Sequence, residues 1–215
     1  MYIPAHFKAD DAAVHELLTH LGAADLITAT ERGLMATMLP LVYEEPGSST
    51  HAGEHGRLMG HVARNNDQWR VPAESEALVI VRGPDAYVSP SWYETKREHG
   101  RVVPTWNYIT AHVYGRLLIH DDPAWVEANV RSLTERHEAL RPERWHVDDA
   151  PETYIQGQLR AIVGIELAIS RIEAKFKLSQ NRSEVDVEGV IAGLTASGHQ
   201  EVAEEMRKVV RAARR

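Results

Sequence analysis

Two clusters in this chain have the residue types needed to hold an anion. The first is Arg64–Asn65–Asn66, within the run GHVARNNDQW. The stretch 57–63 before it reads as a short strand, and Asn65 or Asn66 is placed to cap a single helical turn anchored by Trp69. A strand opening into a helix start beside a guanidinium suits phosphate, because free N–H groups and fixed positive charge both favour it. On the residues alone, Arg64 reads equally well as a surface arginine bracing a turn. The second cluster is KFKLSQNR, where Lys177, Gln180, Asn181 and Arg182 end an alternating strand.

No motif for a covalent nucleophile is present. There is no GxSxG, no GxxxxGK[ST] phosphate loop and no GxGxxG, so a Rossmann nucleotide site is not expected. The chain has no cysteine, which excludes disulfides, thiolate catalysis and Cys-ligated metals. Histidines 51, 55 and 61 raise a metal reading, but Gly53 and Gly56 break the helix that an i, i+4 pair would need. We expect no metal site, no catalytic residue, and a solvated loop over EEPGSSTHAGEHG.

The elements that would carry the clusters show in the patterning. Six of the chain's 14 aromatics fall between Tyr87 and Tyr114. From Val103 to Ile119 the chain alternates, with Val103, Ile109, Ala111, Val113, Leu117 and Ile119 forming an apolar face. Trp106, Tyr108, Thr110, His112 and Tyr114 form the other face, each with a polar tip. A period of two predicts a strand, and large side chains with polar tips suit a covered but wet surface such as a ligand site or subunit interface. The plain alternative is an ordinary exposed sheet face.

Upstream, Asp10 or Asp11 is placed to cap a helix carrying Val14, Leu17, Leu18 and Leu21, with Gly22 as its stop. Residues 26–29 and 34–43 read as strands joined by TERG, the second apolar on both faces, and Pro40 must sit where no ladder N–H is needed. Asp122 and Pro123 start a helix with Trp125 or Val126, Val130, Leu133, His137 and Leu140 along one face. Pro151 begins another, carrying Ile155, Leu159 and Ile162. In GIELAISRIEAKFK the apolar phase is odd through Ile169 and even from Ile172, which predicts a β-bulge near Ser170–Arg171. From Ser183 the text is helical, ending in a stripe of Val202, Met206, Val209, Val210 and Ala213 and a basic tip of Arg211, Arg214 and Arg215.

The chain has 215 residues, 43% of them hydrophobic and 26% charged, which is ordinary for a globular domain with a substantial core. No apolar run approaches the length of a membrane span and the start has no leader-like segment, so a cytoplasmic, membrane-free protein is expected. The formal net charge of −7 argues against a dedicated DNA-binding surface, whose affinity comes largely from phosphate contacts.

The run RGPDAYVSPSWY followed by VPTWNYITAHVYG resembles the PaiB family of bacterial FMN-binding transcriptional regulators. MYIPAHF, GHVARNNDQW and KFKLSQNR fit the same family in the same order. The resemblance implies an α+β fold, an FMN-binding split β-barrel with peripheral helices and a helical C-terminal extension. The expected division is a barrel domain over 1–182 and the extension over 183–215. It also implies a homodimer with FMN at the subunit interface and a role in negative regulation of transcription, with DNA binding carried by family and not by charge. Arg64 and Asn65 would then hold the FMN phosphate, while Trp106 and Asn107 supply ring cover and amide hydrogen bonds. Lys177, Gln180, Asn181 and Arg182 would reach across from the partner, and Thr37 and Met38 would lie beneath the ring. His61 is either a further contact or a satisfied core histidine. The alternative function is a flavin-dependent oxidoreductase or flavin reductase of the same superfamily.

Overall fold

The computed structural model describes residues 1–47 and 53–213; His51, Arg214 and Arg215 lie outside them. In chain order come α1 (Asp11–Thr19), β1 (Ala23–Thr30), β2 (Gly33–Pro40), β3 (Val42–Glu44), β4 (Arg57–Ala63), β5 (Ala77–Val88), α2 (Lys96–His99) and β6 (Thr105–His120). Then follow α3 (Pro123–Glu138), α4 (Glu152–Leu159), β7 (Ile162–Lys177), α5 (Glu184–Ala196) and α6 (Gln200–Ala213). The strands form one sheet in the order β2-β1-β5-β6-β7-β4-β3. The chain divides into two compact units, one of residues 1–14, 82–111 and 174–215, the other of 15–81 and 112–173.

In the unit of residues 15–81 and 112–173, β1 and β2 form a hairpin in register from Ala23↔Pro40 to Thr30↔Gly33. Gly33 turns it at φ +99°, which an L side chain rarely adopts, and the Thr30 hydroxyl donates to its carbonyl at 2.8 Å. The single strand expected over 34–43 is two, because Pro40 has no N–H to continue the ladder and the chain restarts at Val42. β4 pairs with β7 from Arg57↔Ala168 to Ala63↔Ile162. At Gly60 a Cβ would stand 2.7 Å from the Pro40 carbonyl oxygen, so β4 meets the end of β2 as the sheet curls.

Helix α3 is started by Asp122, whose carboxylate accepts from the Trp125 N–H at 3.1 Å, with Pro123 at its first position. Val126 joins Val147, Ile155 and Leu159 in an apolar cluster that roots α4, with Ile162 packed against it as the spacing predicts. Leu140, expected on this face, lies past the helix end and is 97% exposed. Beneath the helix is a buried polar network: Glu166 accepts from Arg57 at 3.2 Å and is 3.0 Å from His120, whose ring stacks on Trp125 at 4.0 Å. Glu166 is 1% exposed, so these partners are what make its burial tolerable.

In the other unit, α5 and α6 pack as a helical pair, with Val187, Val190, Leu194, Val202, Ala203 and Met206 buried. The Ser183 hydroxyl caps α5 by accepting from the Asp186 N–H, and Asp186 in turn accepts from the backbone and hydroxyl of Thr95. At Gly193 a Cβ would come 2.3 Å from the Trp92 ring, so this helix face is shaped around one indole.

The alternation read for β6 holds at its centre, where Ile109, Ala111 and Val113 are buried. It fails at the ends: Val103 precedes the strand and is 63% exposed, and Ile119 is 38% exposed. In β7 the run from Val163 to Ile169 is buried on both faces, and alternation begins only after the exposed Ser170 and Arg171, with Ala174 and Phe176 buried; the strand runs unbroken from Ile162 to Lys177. Among the described residues no helix is long and apolar enough to cross a membrane.

Candidate functional site

The expected site residues fall into two sets, one in each unit. In the first, β4 delivers His61 and then Arg64–Asn65–Asn66. It is Asn66 that caps the following turn, accepting from the Gln68 N–H at 2.8 Å. Its side-chain amide also donates to the Thr37 hydroxyl at 2.9 Å, which ties the cap to β2. Asn65 is left exposed at the tip. Arg64 is half-buried, and its guanidinium already bonds Asp121 at 2.5 and 3.1 Å and the Arg160 carbonyl at 2.7 Å. The Asp121 hydrogen bond holds the Arg64 pKa above its ordinary value and that of Asp121 below its own. This pair is largely solvent-exposed, so it is weak and open to exchange for a stronger anion.

Met38 projects from β2 and is 71% exposed, as is Leu34 at 79%, an apolar strip that a lone chain leaves uncovered. Thr37, between them in sequence, is half-buried. His61 is the register partner of Gly164, where a Cβ would run into the Trp125 ring at 2.3 Å. Cross-strand partners share a face, so His61 projects on the α3 side of the sheet. Burial pushes its pKa below 6.5, and its Nδ1 is buried without a protein partner.

The second set lies on β6, the end of β7 and the turn after it. Trp106 is 54% exposed and meets Tyr87 edge to face at 6.2 Å, giving a broad aromatic surface. Asn107, on the opposite face of the strand, is 1% exposed. Its amide exchanges hydrogen bonds with the Ser179 hydroxyl at 3.1 Å and also donates to the Met206 sulfur at 3.3 Å. Trp106 and Asn107 are therefore not brought together.

The segment LSQNR is a turn built from its own side chains. Ser179 sits at φ +66°, held there by the Asn107 bonds. The Gln180 side chain accepts from the Leu178 N–H at 2.7 Å and donates to the Phe176 carbonyl at 2.5 Å, so it braces the turn. Asn181 is exposed, and Arg182 lies 4.8 Å over the Tyr93 ring. Gln180 and Arg182 line a cavity of about 340 Å³ completed by Leu178, Ile191, Met206 and Val209.

Lys177 donates to the Thr105 hydroxyl at 2.5 Å and to the Trp106 carbonyl, and lies 5.9 Å from the Tyr108 ring centre. Lys175 stands 5.5 Å from the same ring and donates to the Tyr2 carbonyl at 3.3 Å. Among the described residues, neither lysine has a carboxylate within ion-pair distance. Burial, with Lys175 and Arg182 nearby, pushes the Lys177 pKa down, as expected for cations gathered without counter-charge. Such a group gains from an anion.

Sequence reasoning missed the buried Glu166 and Asn129, both polar positions on stripes whose other members are apolar. It also passed over Arg116, which continues the even-position series of β6 with a cation in place of an aromatic group.

A family profile described as "Putative FMN-binding domain" matches residues 1–171. The chain is similar to the protease synthase and sporulation protein PAI 2 of Bacillus subtilis, with 35% identity over 90% of this chain and 89% of that one. It is also similar to a protein of Emericella nidulans, with 31% identity over 92% of each chain. Among solved structures, the flavocytochrome Anf3 of Azotobacter vinelandii superposes with a TM-score of 0.55 at 15% identity, covering 78% of this chain and 67% of that one. An FAD- and haem-binding protein of Mycobacterium smegmatis does so with a TM-score of 0.55 at 16% identity, covering 83% and 77%. At such identities these two establish the fold, an α+β split β-barrel.

Proposed function

The chain belongs to the FMN-binding domain family, and on that premise we propose that it works as an FMN-holding homodimer in transcriptional control of the PaiB type. The observation that carries the reading is the pairing of uncompensated cations with uncovered apolar surface. Among the described residues no carboxylate pairs with Lys175 or Lys177, while Leu34, Met38 and Trp106 stand exposed. FMN matches the first with its polar, electron-rich edge and the second with the apolar face of its ring, and a second subunit covers what remains.

In this reading Arg64 gives up part of its exposed bond to Asp121 and turns to the phosphate, with Asn65 beside it. Asn66 and Thr37 hold that edge of β2 in place, and Met38 offers apolar contact beneath the ring. Trp106 covers the ring, and Lys177, Asn181 and Arg182 of the partner subunit reach the cofactor's polar edge. Asn107 and Gln180 act as braces that fix the geometry of the LSQNR turn. When bound, FMN supplies a redox-active ring whose charge changes on reduction, and the nearby cations favour its anionic forms.

Flavin titration of a Lys177→Ala, Arg182→Ala double variant tests the reading. Each cation lost removes a charge-assisted contact of roughly 1.5–3 kcal/mol, so FMN affinity falls by about two orders of magnitude or more. Unchanged affinity removes these residues from the site. Steady turnover of a nicotinamide substrate with an acceptor, faster than free FMN gives, favours the oxidoreductase alternative.

A further inference from the structure

We propose that the loop between β4 and β5 forms, with the end of β6, a second binding site that takes a small aromatic carboxylate bearing an N–H or O–H donor. The site is a cavity of about 330 Å³, at the lower end of the range that small-molecule pockets occupy. All of its lining lies in the unit of residues 15–81 and 112–173.

Its chemistry is specific. Gln68 lines it and is 2% exposed. The Gln68 amide nitrogen donates to the Leu26 carbonyl at 3.1 Å, the Thr28 hydroxyl at 3.2 Å and the Met35 carbonyl at 3.4 Å. Those three acceptors fix the orientation of the side chain, and its carbonyl oxygen is left buried with no donor. A buried acceptor without a partner is costly, and a ligand N–H or O–H is one way to satisfy it.

Two guanidinium groups line the same cavity. Arg70 is 5.2 Å from the Trp69 ring centre, bonds the Arg64 carbonyl at 2.8 Å and pairs with the exposed Asp67 at 3.2 Å. Arg116 is exposed, and among the described residues nothing pairs with it. An arginine without a counter-charge beside a cavity favours a carboxylate, which its fork binds through two parallel hydrogen bonds. The cavity is also lined by the Trp69 indole, held by its own N–H to the Arg64 carbonyl at 3.0 Å, and by Val71, Leu117 and Ile119. A flat ring fits these walls. An anionic group at one end and a donor at the other complete the match. The site needs no flavin residue, so it stands or falls separately from FMN binding.

The test is calorimetric titration of indole-3-carboxylate, and of its neutral carboxamide, into the protein saturated with FMN and into the same protein without added FMN. The expected result is carboxylate binding with a Kd below about 1 mM, carboxamide binding at least about tenfold weaker, and both unaffected by FMN. Arg116→Ala then weakens the carboxylate by about ten- to a hundredfold, with Arg116→Lys in between because it keeps charge but loses the fork. Arg116 is exposed, so an unchanged melting temperature of both variants confirms that folding is not the cause. No heat with the parent protein, or equal affinity in Arg116→Ala, overturns the proposal. Competition between FMN and the carboxylate overturns it too, because the cavity would then be part of the flavin site.

Discussion

At the scale of single residues, the positions that matter most combine burial with unusual backbone or incomplete pairing. Ser179 adopts φ +66° and exchanges hydrogen bonds with the buried Asn107. Ser179→Ala keeps the left-handed backbone at a cost of about 1 kcal/mol and strips the hydroxyl partner from a buried amide at about 1–3 kcal/mol. Ser179→Gly relieves the first and incurs the second. In urea denaturation the alanine variant should therefore be the less stable of the two by about 1 kcal/mol. If glycine is no better than alanine, the backbone is not what Ser179 holds.

His61 gives a pH signature. Burial lowers its pKa from 6.5, so as pH falls the unfolded chain takes up the proton first. Its contribution to stability is fully present above the unfolded value and is lost as pH drops towards the depressed folded value. A His61→Gln variant should lose less stability than the parent between about pH 7 and pH 5. Parallel stability curves for the two proteins across that window would contradict the assignment.

At the scale of elements, helix α5 is shaped by what it packs against more than by helix propensity. Gly193→Ala gains about 1 kcal/mol of helix propensity. The new Cβ would stand 2.3 Å from the Trp92 ring, a clash costing about 1–3 kcal/mol. Overpacking should win, with a net loss in chemical denaturation, and pairing the change with Trp92→Leu should recover part of it. A stabilising Gly193→Ala would mean that Trp92 moves freely.

The elements themselves were largely legible, because alternation and capping residues are local signals. The centre of β6 and the Asp122 cap of α3 both follow from residue order. The ends were less legible: Leu140 and Val103 look like continuations of apolar stripes, yet each lies outside its element. Periodicity alone does not say where hydrogen bonding stops. Of the candidate site, the cationic turn LSQNR and the cap after β4 were readable from residue types. That Asn107 and Gln180 act inside the fold was not, since an amide carries no sign of which face it will occupy. Arg116 was hidden for a different reason, because its cavity is made by a loop distant in sequence.

At the scale of the whole molecule, a net charge of −7 disfavours the phosphate contacts on which tight DNA binding rests. One local group of cations, Lys175, Lys177 and Arg182, is proposed to serve a small anion. The isolated protein should show no tight, sequence-specific DNA binding. Nanomolar affinity for a defined operator, falling steeply with added salt, would contradict this. Regulation by such a protein would then run through a partner or through the flavin.

In the proposed function, FMN and the dimer belong together. In the proposed dimer the second subunit covers the exposed strip of Leu34 and Met38 and the exposed Trp106. By linkage, a cofactor that binds the assembled site better than either half must tighten the assembly. Sedimentation velocity recorded at the flavin absorbance band, with and without added FMN, measures both at once. The account predicts flavin moving with protein at the dimer mass, in a ratio of one FMN per chain, and a dimer that dissociates at higher concentration once flavin is removed. Protein sedimenting without flavin absorbance after incubation with excess FMN, or a monomer carrying FMN at full occupancy, would contradict it.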